Sequence, residues 1–341
     1  MQKPLIDFVI TWVDGFDPVW KAEKQKYEKK IDQHWEDSRD ERYRPMDTFY
    51  YLFRGIEMFA PWVNKIYLVT YGHLPKWLNT KNDKLIIVKH TDFIPIKYLP
   101  TFNVAPIELN FHRIKGLSEN FVYFNDDMFL IKPTKPEDFF VNNKPCDSAV
   151  LNAFCASRIN GEKKLYLKPV INMSVINSYF SKSKTISSNP INWYNLKYGK
   201  ELFRTFALSP WRHFTGFVNW HLPYSLHKST FEELWKLEGD YLNEVCMHRF
   251  RQATDVNIWL FSYWQYAKND FCPRSPYIGT HFSLTNNMKY NERLFSSMIR
   301  KKTKLLCIND EFKNNEDFKS GDKIIANYFK TIFPKKSKFE L

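Results

Sequence analysis

The first 140 residues are predicted to form an α/β fold, because apolar segments of strand length alternate with segments of helical period. Residues 6–13 have the composition of a buried strand, and the strand is expected to end at the turn signal Asp14-Gly15. Three more segments have the same strand-like composition, residues 65–70, 85–89 and 121–124. This part of the chain is therefore expected to build the sheet that carries any ligand site.

Two segments between these strands have helical periodicity. The first begins at Asp47 and is closed by Pro61, with an apolar face formed by Phe49, Leu52, Phe53, Ile56 and Ala60. The second, residues 106–114, predicts a short helix that points Ile107, Phe111 and Ile114 inward and stops at Gly116. Its other face carries Glu108, His112 and Lys115, and we interpret that face as solvent-facing or functional.

The rest of the chain divides into two further parts. Residues 141–215 are rich in Asn, Ser and Lys with weak periodicity, and we interpret them as an insertion or lid. Residues 216–341 predict a helical part that completes the active site. A capping box from Ser229 to Glu232 starts one helix, Asp255 precedes an apolar helix, and residues 322–332 form the last one.

Composition excludes several classes of protein. Glycine is scarce at 10 residues, and neither a G-x-G-x-x-G nor a Walker A motif occurs, which argues against nicotinamide and P-loop enzymes. No signal peptide or run of 18 apolar residues is found, and the 5 cysteines lack C-x-x-C spacing. We therefore expect a reduced, cytoplasmic protein without a zinc site or disulfides.

The net charge of +13 favours polyanionic partners. Basic clusters at residues 300–304 and 335–338 could hold the protein at the inner face of an anionic membrane, although solvated tails are an equally good interpretation.

Asn125-Asp126-Asp127 is the sharpest chemical feature, because it directly follows an apolar strand. The carboxyl ends of strands in open α/β sheets are where ligands bind. Adjacent carboxylates repel each other unless a cation neutralises them, and Mg²⁺ or Mn²⁺ prefers carboxylate and diphosphate oxygens. An ordinary surface turn is the alternative, since Asn and Asp are common turn residues. We favour a metal site at Asp126 and Asp127.

Other candidate residues give weaker signals when each is considered alone. Thr11, Trp12 and Asp14 end the first strand, where an aromatic ring could stack on a base and an acid could hold a ribose or a metal. The arginines Arg44, Arg54 and Arg113 suit phosphate, but a surface pair between Arg54 and Glu57 is the alternative interpretation.

A histidine and an arginine of the second half have the right chemistry for phosphoryl transfer. His221 lies in the aromatic, proline-fixed turn 220–224 and could be a general base or a structural histidine. Arg251 and Asp255 lie in a segment before a helix N-terminus, which is a favourable environment for phosphate.

Taken together, these segments resemble the Stealth family, which includes bacterial capsular polysaccharide phosphotransferases and the animal enzyme that transfers GlcNAc-1-phosphate to lysosomal glycoproteins. The first region of similarity is residues 6–15, and the second extends from Arg42-Tyr43-Arg44 to Asp126-Asp127-Met128-Phe129. The third comprises His221-Leu222-Pro223, Phe250-Arg251 and Asp255, and the fourth contains Cys307-Ile308-Asn309-Asp310 and the closing residues 333–340. Departures at Pro45, at Tyr50 and in residues 103–106 leave the donor and acceptor sugars open.

The resemblance implies a GT-A-like nucleotide-diphospho-sugar transferase fold, in which a mixed, mostly parallel sheet is flanked by helices. It further implies transfer of hexose-1-phosphate or N-acetylhexosamine-1-phosphate from a UDP-sugar to an oligosaccharide or lipid-linked glycan, with release of UMP. The roles that it implies are a metal at Asp126, Asp127 and Asp310, a base at His221 and a charge stabiliser at Arg251. Substrate-binding residues would be Thr11, Trp12, Asp14, Arg44, Arg54, Arg113, Asn125, Asp255 and Asn309.

Two rival functions remain open at the level of sequence. An ordinary GT-A glycosyltransferase would attack the anomeric carbon and release UDP. A non-enzymatic protein that binds nucleic acid would interleave basic and aromatic residues on one face and would not need Asn125-Asp126-Asp127. We expect no nucleic acid partner.

Overall fold

The computed structural model describes residues 4–28, 36–37, 43–44, 46–154, 167–285, 287–300, 303–309, 312 and 315–341 of the 341-residue chain. The strands, numbered along the chain, are β1 (Ile6–Trp12), β2 (Glu36–Asp37), β3 (Ile66–Thr70), β4 (Leu85–Lys89), β5 (Asn120–Phe124), β6 (Met128–Leu130), β7 (Phe140–Val141), β8 (Lys144–Asp147), β9 (Tyr224–His227), β10 (Arg251–Gln252), β11 (Cys272–Pro273), β12 (Gly279–Ser283) and β13 (Leu305–Asn309). The α-helices are α1 (Pro18–Glu28), α2 (Tyr50–Phe59), α3 (His90–Phe93), α4 (Val104–Leu109), α5 (Lys168–Tyr179), α6 (Lys182–Ser188), α7 (Pro190–Trp193), α8 (Leu202–Ala207), α9 (Lys228–Leu237), α10 (Gly239–Met247), α11 (Trp259–Ala267), α12 (Met288–Arg300) and α13 (Asn315–Ile332).

The central sheet has five strands in the order β4-β3-β1-β5-β9. β1 pairs in parallel with both β3 and β5, and β3 pairs in parallel with β4. Only β9, at one edge, runs antiparallel to its neighbour β5. Every residue of β3 and β5 is buried, which is why these strands are continuous apolar runs in the sequence. The predicted mixed, mostly parallel sheet flanked by helices is confirmed.

Smaller sheets extend this frame and connect distant parts of the chain. β13 pairs antiparallel with β6 and parallel with β12. The parallel pair of β11 and β8 is continued by β7, and β10 pairs with β2. Because β6 directly follows the acidic turn at residues 125–127, its pairing with β13 brings the last part of the chain to that turn.

The part after residue 215 is mixed, so the prediction of a helical C-terminal part is wrong in this respect. β9 completes the central sheet, and β12 and β13 form a sheet with β6. The strands β9, β12 and β13 are only 4 to 5 residues long, and β12 carries polar side chains such as Thr280 and His281. Such short strands give little periodicity, and their partners lie far away in the sequence.

The predicted insertion, residues 141–215, starts at the end of β7, includes β8 and continues, within the described residues, as the helices α5 to α8. α5 packs against the nearly completely buried helix α11, so these helices belong to the body of the protein. A role as a lid stays a prediction. None of the described helices combines the length and the apolar composition that crossing a bilayer requires.

Candidate active site

Asn125, Asp126 and Asp127 form the turn between β5 and β6, and all three residues are partly exposed. The strands on either side of this turn are fully buried. β1 runs parallel to β5, so its last residues lie at the same edge of the sheet as the turn. There the Thr11 Oγ1 lies 3.1 Å from the Tyr123 hydroxyl oxygen. The acidic motif therefore occupies the edge at which open α/β sheets bind ligands.

Asp127, His221 and Cys307 come together at this edge, although they are far apart in sequence. One ligand atom from each side chain lies within 4.8 Å of the other two. The Ile308 N–H donates to the Asp127 carbonyl over 3.0 Å, and β13 pairs Cys307 with Met128. Asn309 ends the same strand, with its Oδ1 3.6 Å from the Cys307 Sγ. Asp310, the predicted third metal ligand, lies outside the described residues.

Burial gives the two carboxyls of the turn an unusual affinity for protons. The pKa of Asp126 is raised from 3.8 to about 7 by burial and by the charge of Asp127. Burial also raises the pKa of Asp127, from 3.8 to about 6, against the opposing effect of a hydrogen bond with the Cys307 thiol. The Asp127 Oδ1 is buried and has no hydrogen-bond partner among the described residues. A cation would offset the repulsion and occupy these open lone pairs.

This donor set fits Mg²⁺ or Mn²⁺ through the carboxylate oxygens, which hard cations prefer. Burial raises the pKa of the Cys307 thiol well above its usual range, so the sulfur stays protonated and is a poor ligand for a hard cation. Aspartate, histidine and cysteine also occur together in zinc sites. The prediction that the cysteines build no zinc site therefore stays a prediction.

His221 occupies a strained turn beside the acidic motif. Its backbone has φ 48°, in the left-handed region that residues other than glycine enter at a cost, and its N–H donates to Asn219 Oδ1 over 2.8 Å. Burial, with a smaller contribution from His281, lowers the pKa of His221 to about 4. The two rings lie 6.2 Å apart between centroids. At neutral pH the imidazole is uncharged and can accept a proton, but it is a weaker base than the unperturbed value of ~6.5 would indicate.

A buried carboxyl group behind the acidic turn was not among the predicted site residues. Glu108 of α4 is buried, its Oε1 lies 3.1 Å from the Tyr123 hydroxyl, and its Oε2 accepts the Ile258 N–H over 3.0 Å. The Tyr123 hydroxyl also lies 2.6 Å from Asn125 Oδ1. One phenolic proton cannot serve two acceptors, so a protonated Glu108 can donate to the phenol while the phenol donates to Asn125. Burial raises the pKa of Glu108 to about 7, which is consistent with that arrangement.

The sequence offered one signal for the helix that carries Glu108. Asn103 is the N-cap of α4, because its Oδ1 accepts from the Ala105 N–H, and the helix starts at residue 104. The predicted helix 106–114 therefore begins too late, and it also runs too far. α4 ends at Leu109, and a 3₁₀ turn follows at Phe111–Arg113.

Arg251 approaches this network from β10. Its positive charge makes a small contribution to lowering the pKa of Glu108, against the larger effect of burial. The Arg251 Nε is buried and has no hydrogen-bond partner within the described residues. Arg251 Nε is therefore a donor that the described part of the chain does not use.

Asp255 is fully buried, and its predicted contact with substrate stays a prediction. Its carboxylate accepts from Asn103 Nδ2 and from the Gln252 N–H, each over 2.8 Å, and its Oδ1 lies 2.8 Å from His248 Nδ1. These bonds fix the segment that carries Arg251. The carboxylate of Asp255 therefore holds in place the segment next to Arg251.

Arg54 is engaged by the C-terminal segment, and its predicted role in binding phosphate stays a prediction. Its Nε and Nη2 donate to the two oxygens of Glu340 over 2.8 and 2.7 Å, and its Nη1 donates to the Phe333 carbonyl over 2.9 Å. The alternative surface pair with Glu57 is also not formed, because Glu57 accepts from the Lys338 N–H. Arg54 therefore fastens the C-terminal segment to α2.

Trp12 packs in the core, and its predicted stacking on a base stays a prediction. Its ring stacks on Phe49, with centroids 5.8 Å apart, and is 8% exposed. Asp14 closes the turn after β1 by accepting the Phe16 N–H over 2.8 Å.

The two remaining arginines have partners within the protein. Arg44 donates to the Phe312 carbonyl over 2.8 Å. Arg113 is exposed, donates to Asn110 Oδ1 over 2.8 Å, and lies over the Trp235 ring. These contacts do not join either residue to the group formed by Asp127, His221 and Cys307.

Comparisons with known proteins bear on this site. Models of the conserved regions of Stealth proteins match residues 5–32 (region 1), 42–147 (region 2) and 297–341 (region 4). The chain is 42% identical to the capsular polysaccharide phosphotransferase WcwK of Streptococcus pneumoniae, over 98% of both chains. It is 38% identical to the receptor polysaccharide phosphotransferase WefC of Streptococcus gordonii, over 98% of this chain and 99% of that protein. The exopolysaccharide phosphotransferase cps2G of Lactiplantibacillus plantarum is 37% identical over 98% of this chain and 96% of its own.

Proposed function

Because this chain belongs to the Stealth family, we propose that it transfers hexose-1-phosphate or N-acetylhexosamine-1-phosphate from a UDP-sugar to a hydroxyl group of a surface polysaccharide. The product is a phosphodiester and the leaving group is UMP. The single observation that supports this most is the convergence of Asp127, His221 and Cys307 beside Asp126 at the edge of the sheet. That edge, with a mostly parallel sheet behind it, is also the reason for proposing a GT-A-like fold.

Asp126 and Asp127 would hold Mg²⁺ or Mn²⁺, with Asn309 and Asp310 as candidates to complete the ligand set. A bound divalent cation supplies charge neutralisation to a diphosphate and to the departing nucleotide. The raised pKa values of the two carboxyls support this assignment, because the pair is poorly stabilised as two bare anions.

His221 accepts the proton of the attacking hydroxyl group. The acceptor oxygen forms a bond to the β-phosphorus of the UDP-sugar, and the bond from that phosphorus to the bridging oxygen breaks. The bridging oxygen leaves with the α-phosphate as UMP, and the proton moves to the His221 ring. An alcohol becomes more acidic as its oxygen bonds to phosphorus, so an uncharged imidazole with a pKa of about 4 can take the proton late in the step.

Arg251 stabilises the charge on the transferred phosphoryl group, as cationic side chains do in phosphoryl transfer generally. Its buried Nε without a partner among the described residues supports this role. Thr11, Asp14 and Asn125 remain candidates for holding the nucleotide, because they lie at or near the edge of the sheet that carries the acidic turn.

The alternative reaction is ordinary glycosyl transfer with release of UDP. A UDP-sugar carrying ³²P in its β-phosphate separates the two reactions, because phosphotransfer moves the label into the glycan whereas glycosyl transfer leaves it in UDP. The panel contains UDP-glucose, UDP-galactose and their N-acetylated forms, each with Mg²⁺ and a capsular oligosaccharide. Asp127→Asn is the inactive control. Labelled glycan with UMP supports the proposed reaction, labelled UDP supports the alternative, and no turnover with any donor contradicts both.

The acceptor is proposed to be an oligosaccharide or a lipid-linked glycan, reached by peripheral contact with an anionic membrane from the cytoplasm. Lys335, Lys336 and Lys338 are exposed, although the segment itself is folded onto α2. A second candidate surface is the part of the chain that exposes large apolar side chains between basic ones, namely Ile191, Leu196, Phe203, Phe206 and Trp211.

Sedimentation with vesicles containing anionic lipid tests both membrane surfaces. Deleting residues 335–341 would also remove Glu340 from Arg54, so substitution is the cleaner perturbation. Changing Lys335, Lys336 and Lys338 together to serine tests the basic segment, and changing Phe203 and Trp211 to serine tests the apolar one. Binding that persists in both variants and in high salt contradicts a membrane contact at these surfaces.

A further inference from the structure

Three side chains at the acidic edge of the sheet form a group whose chemistry the proposed phosphotransfer does not fully use. The ligand atoms of Asp127, His221 and Cys307 all lie within 4.8 Å of one another. A protonated thiol adds nothing to the binding of Mg²⁺ or Mn²⁺, which prefer oxygen ligands. Carboxylate, imidazole and thiolate together are instead ligands of Zn²⁺ and of similar borderline cations. The group therefore also suits a cation of another class.

Rigid parts of the fold hold these three side chains. Cys307 lies on β13, the strand between β6 and β12, and its thiol donates a hydrogen bond to the carboxylate of Asp127. His221 is fixed by its left-handed backbone and by the bond from its N–H to Asn219. Ligands of a tetrahedral zinc ion lie ~3.3–3.8 Å from one another, given bonds of ~2.0–2.3 Å to the metal. Side-chain movements of about 1 Å would therefore bring the three ligand atoms onto one ion without moving a strand.

Solvent reaches this group, and one of its ligand atoms is unused. Asp127 and His221 are partly exposed, whereas Cys307 is fully buried. The Asp127 Oδ1 has no hydrogen-bond partner in the part of the chain that the structure describes. A cation can therefore approach the carboxylate and the imidazole from solvent and gain the thiol as a further ligand.

A second histidine lies on the same side of the small sheet. β12 places His281 directly opposite Cys307, and the rings of His281 and His221 are 6.2 Å apart between centroids. The His281 Nδ1 lies 3.1 Å from the Trp220 carbonyl oxygen. Because a carbonyl only accepts, Nδ1 carries the proton of the neutral ring and Nε2 keeps a lone pair. A bond of this kind orients the histidine ligands of metal sites, so the surroundings of the group add nitrogen and not further oxygen.

We propose that Asp127, His221 and Cys307 bind Zn²⁺, or a cation of the same borderline class, and that this ion inhibits the enzyme. The sulfur–zinc bond forms as the thiol releases its proton to solvent, and the imidazole binds through the lone pair of a ring nitrogen. Binding by such distant residues would overturn the expectation, drawn from the spacing of the cysteines, that the protein has no zinc site.

Inhibition follows from what the ion occupies. A His221 nitrogen bound to zinc cannot accept the proton of the attacking hydroxyl group. An Asp127 oxygen bound to zinc is lost to Mg²⁺. The inhibitory effect rests on the proposed function, because it assumes the roles of Asp127 and His221 in phosphotransfer, whereas the binding of the ion does not.

Co²⁺ is the probe for binding, because it takes the same ligands as Zn²⁺ and, unlike Zn²⁺, absorbs light. Titrating Co²⁺ into the metal-free full chain should produce a thiolate-to-cobalt charge-transfer band in the near ultraviolet, together with the visible bands of a tetrahedral site. An equimolar amount of Zn²⁺ should remove both, because Zn²⁺ displaces the probe.

Three variants test the ligands one at a time. Cys307→Ser keeps the shape of the side chain and should remove the charge-transfer band. His221→Ala and Asp127→Asn keep the sulfur, and each should weaken Co²⁺ binding by more than the ~10- to 100-fold that loss of an outer-shell partner costs. The matched control is Cys246→Ser, because Cys246 is also a buried free thiol but does not belong to the group. It should leave the spectrum unchanged. Circular dichroism identifies any variant that does not fold, and the remaining variants then decide.

Inhibition is measured with the ³²P-labelled UDP-sugar in excess Mg²⁺. Zn²⁺ at a concentration far below that of Mg²⁺ should lower turnover by roughly 10-fold or more, because nitrogen and sulfur ligands hold Zn²⁺ more tightly than Mg²⁺. A chelator that binds Zn²⁺ but not Mg²⁺ should restore the activity.

The zinc site is overturned if Co²⁺ gives no charge-transfer band with the wild type, or if the band survives in folded Cys307→Ser. The inhibitory role is overturned if saturating Zn²⁺ leaves turnover unchanged. Failure of the proposed function has a different signature. A wild type that binds Co²⁺ through Cys307 but moves no label from any donor contradicts the phosphotransfer and retains the metal site.

Discussion

Replacing Asp126 by asparagine should make the metal-free protein more stable at alkaline pH while abolishing its activity. The folded protein raises the pKa of Asp126 from 3.8 to about 7. Between these two values the folded state binds a proton that the unfolded state has released, so stability falls as the pH rises from ~4 to ~7 and stays low above that range. An asparagine has the same shape and no proton to lose, so the variant lacks this decline.

The size of the effect follows from the same two pKa values. A difference of about 3 pKa units, from 3.8 to about 7, corresponds to at most ~4 kcal/mol at ~1.36 kcal/mol per unit. Asp126 is partly exposed, so solvent screening reduces the expected gain of Asp126→Asn to ~1–3 kcal/mol above pH 7. For a chain of 341 residues this corresponds to roughly 1–4 °C in melting temperature.

Thermal unfolding in EDTA at several values between pH 4 and pH 8, monitored by circular dichroism, measures the difference between wild type and variant. It should be near zero at pH 4 and largest at pH 8. Adding Mg²⁺ at pH 8 should stabilise the wild type more than Asp126→Asn, because only the wild type retains both carboxylates. Asp83→Asn, at an exposed aspartate, is the control and should show neither effect. A variant no more stable than the wild type at pH 8 in EDTA would refute the reasoning.

Four further perturbations address the remaining roles. EDTA should abolish turnover, and Asp127→Asn should leave a folded but nearly inactive protein; full activity in EDTA would rule out the metal assignment. His221→Ala should keep the fold and UDP-sugar binding and lower transfer by ~10²–10⁴-fold in steady-state kinetics, with wild-type turnover as the contradicting outcome. Burial lowers the pKa of His221 to about 4. In the rate–pH profile of the wild type at saturating metal, the acidic limb due to this histidine should therefore lie near pH 4 and not near pH 6.5. Arg54→Ala should destabilise the protein by ~2–4 kcal/mol in denaturant unfolding, because it leaves Glu340 unpaired. The KM for the donor should stay unchanged. A raised KM at unchanged stability would instead indicate that Arg54 contacts the phosphates of the donor.

The frame of the molecule was predictable because buried parallel strands are continuous apolar runs. The predicted strand 85–89 has the bounds of β4, and the predicted strand 65–70 differs from β3 by one residue. The helix expected from Asp47 begins at Tyr50 and ends, as expected, before Pro61. Local patterns of hydrophobicity and helix-breaking residues were sufficient for these elements.

Features that depend on distant parts of the chain were not predictable. The capping box at Ser229 is not formed, because the Ser229 hydroxyl donates to Glu119 on the loop before β5 and α9 begins at Lys228. Glu108 was assigned to a face away from the core, yet the N–H of Ile258 covers it from a segment 150 positions further along. In both places a contact with a distant part of the chain decides the environment of the side chain. The hydrophobic periodicity of the sequence contains no information about such a contact.

At the acidic turn itself, the sequence predicted the residue types, and tertiary contacts determined their neighbours. Asp126 and Asp127 were identifiable from a strand followed by adjacent carboxylates. The thiol of Cys307 beside them was not, because β13 reaches the turn only through its pairing with β6. The resemblance to a known family pointed to His221, whereas its low pKa follows from burial and from His281.

The pairing of β13 with β6 has a consequence for how activity arises during folding. The carbonyl of Asp127 accepts from the Ile308 N–H, and Cys307 lies opposite Met128, so the acidic turn is held by a strand about 180 residues downstream. Contacts of such long separation form late, after local helices and neighbouring strands are in place. During refolding, recovery of helical signal should therefore precede recovery of turnover. A nascent chain that still lacks β13 would contain the acidic motif but not the complete site. It should therefore not act on a nucleotide sugar until its synthesis is nearly finished.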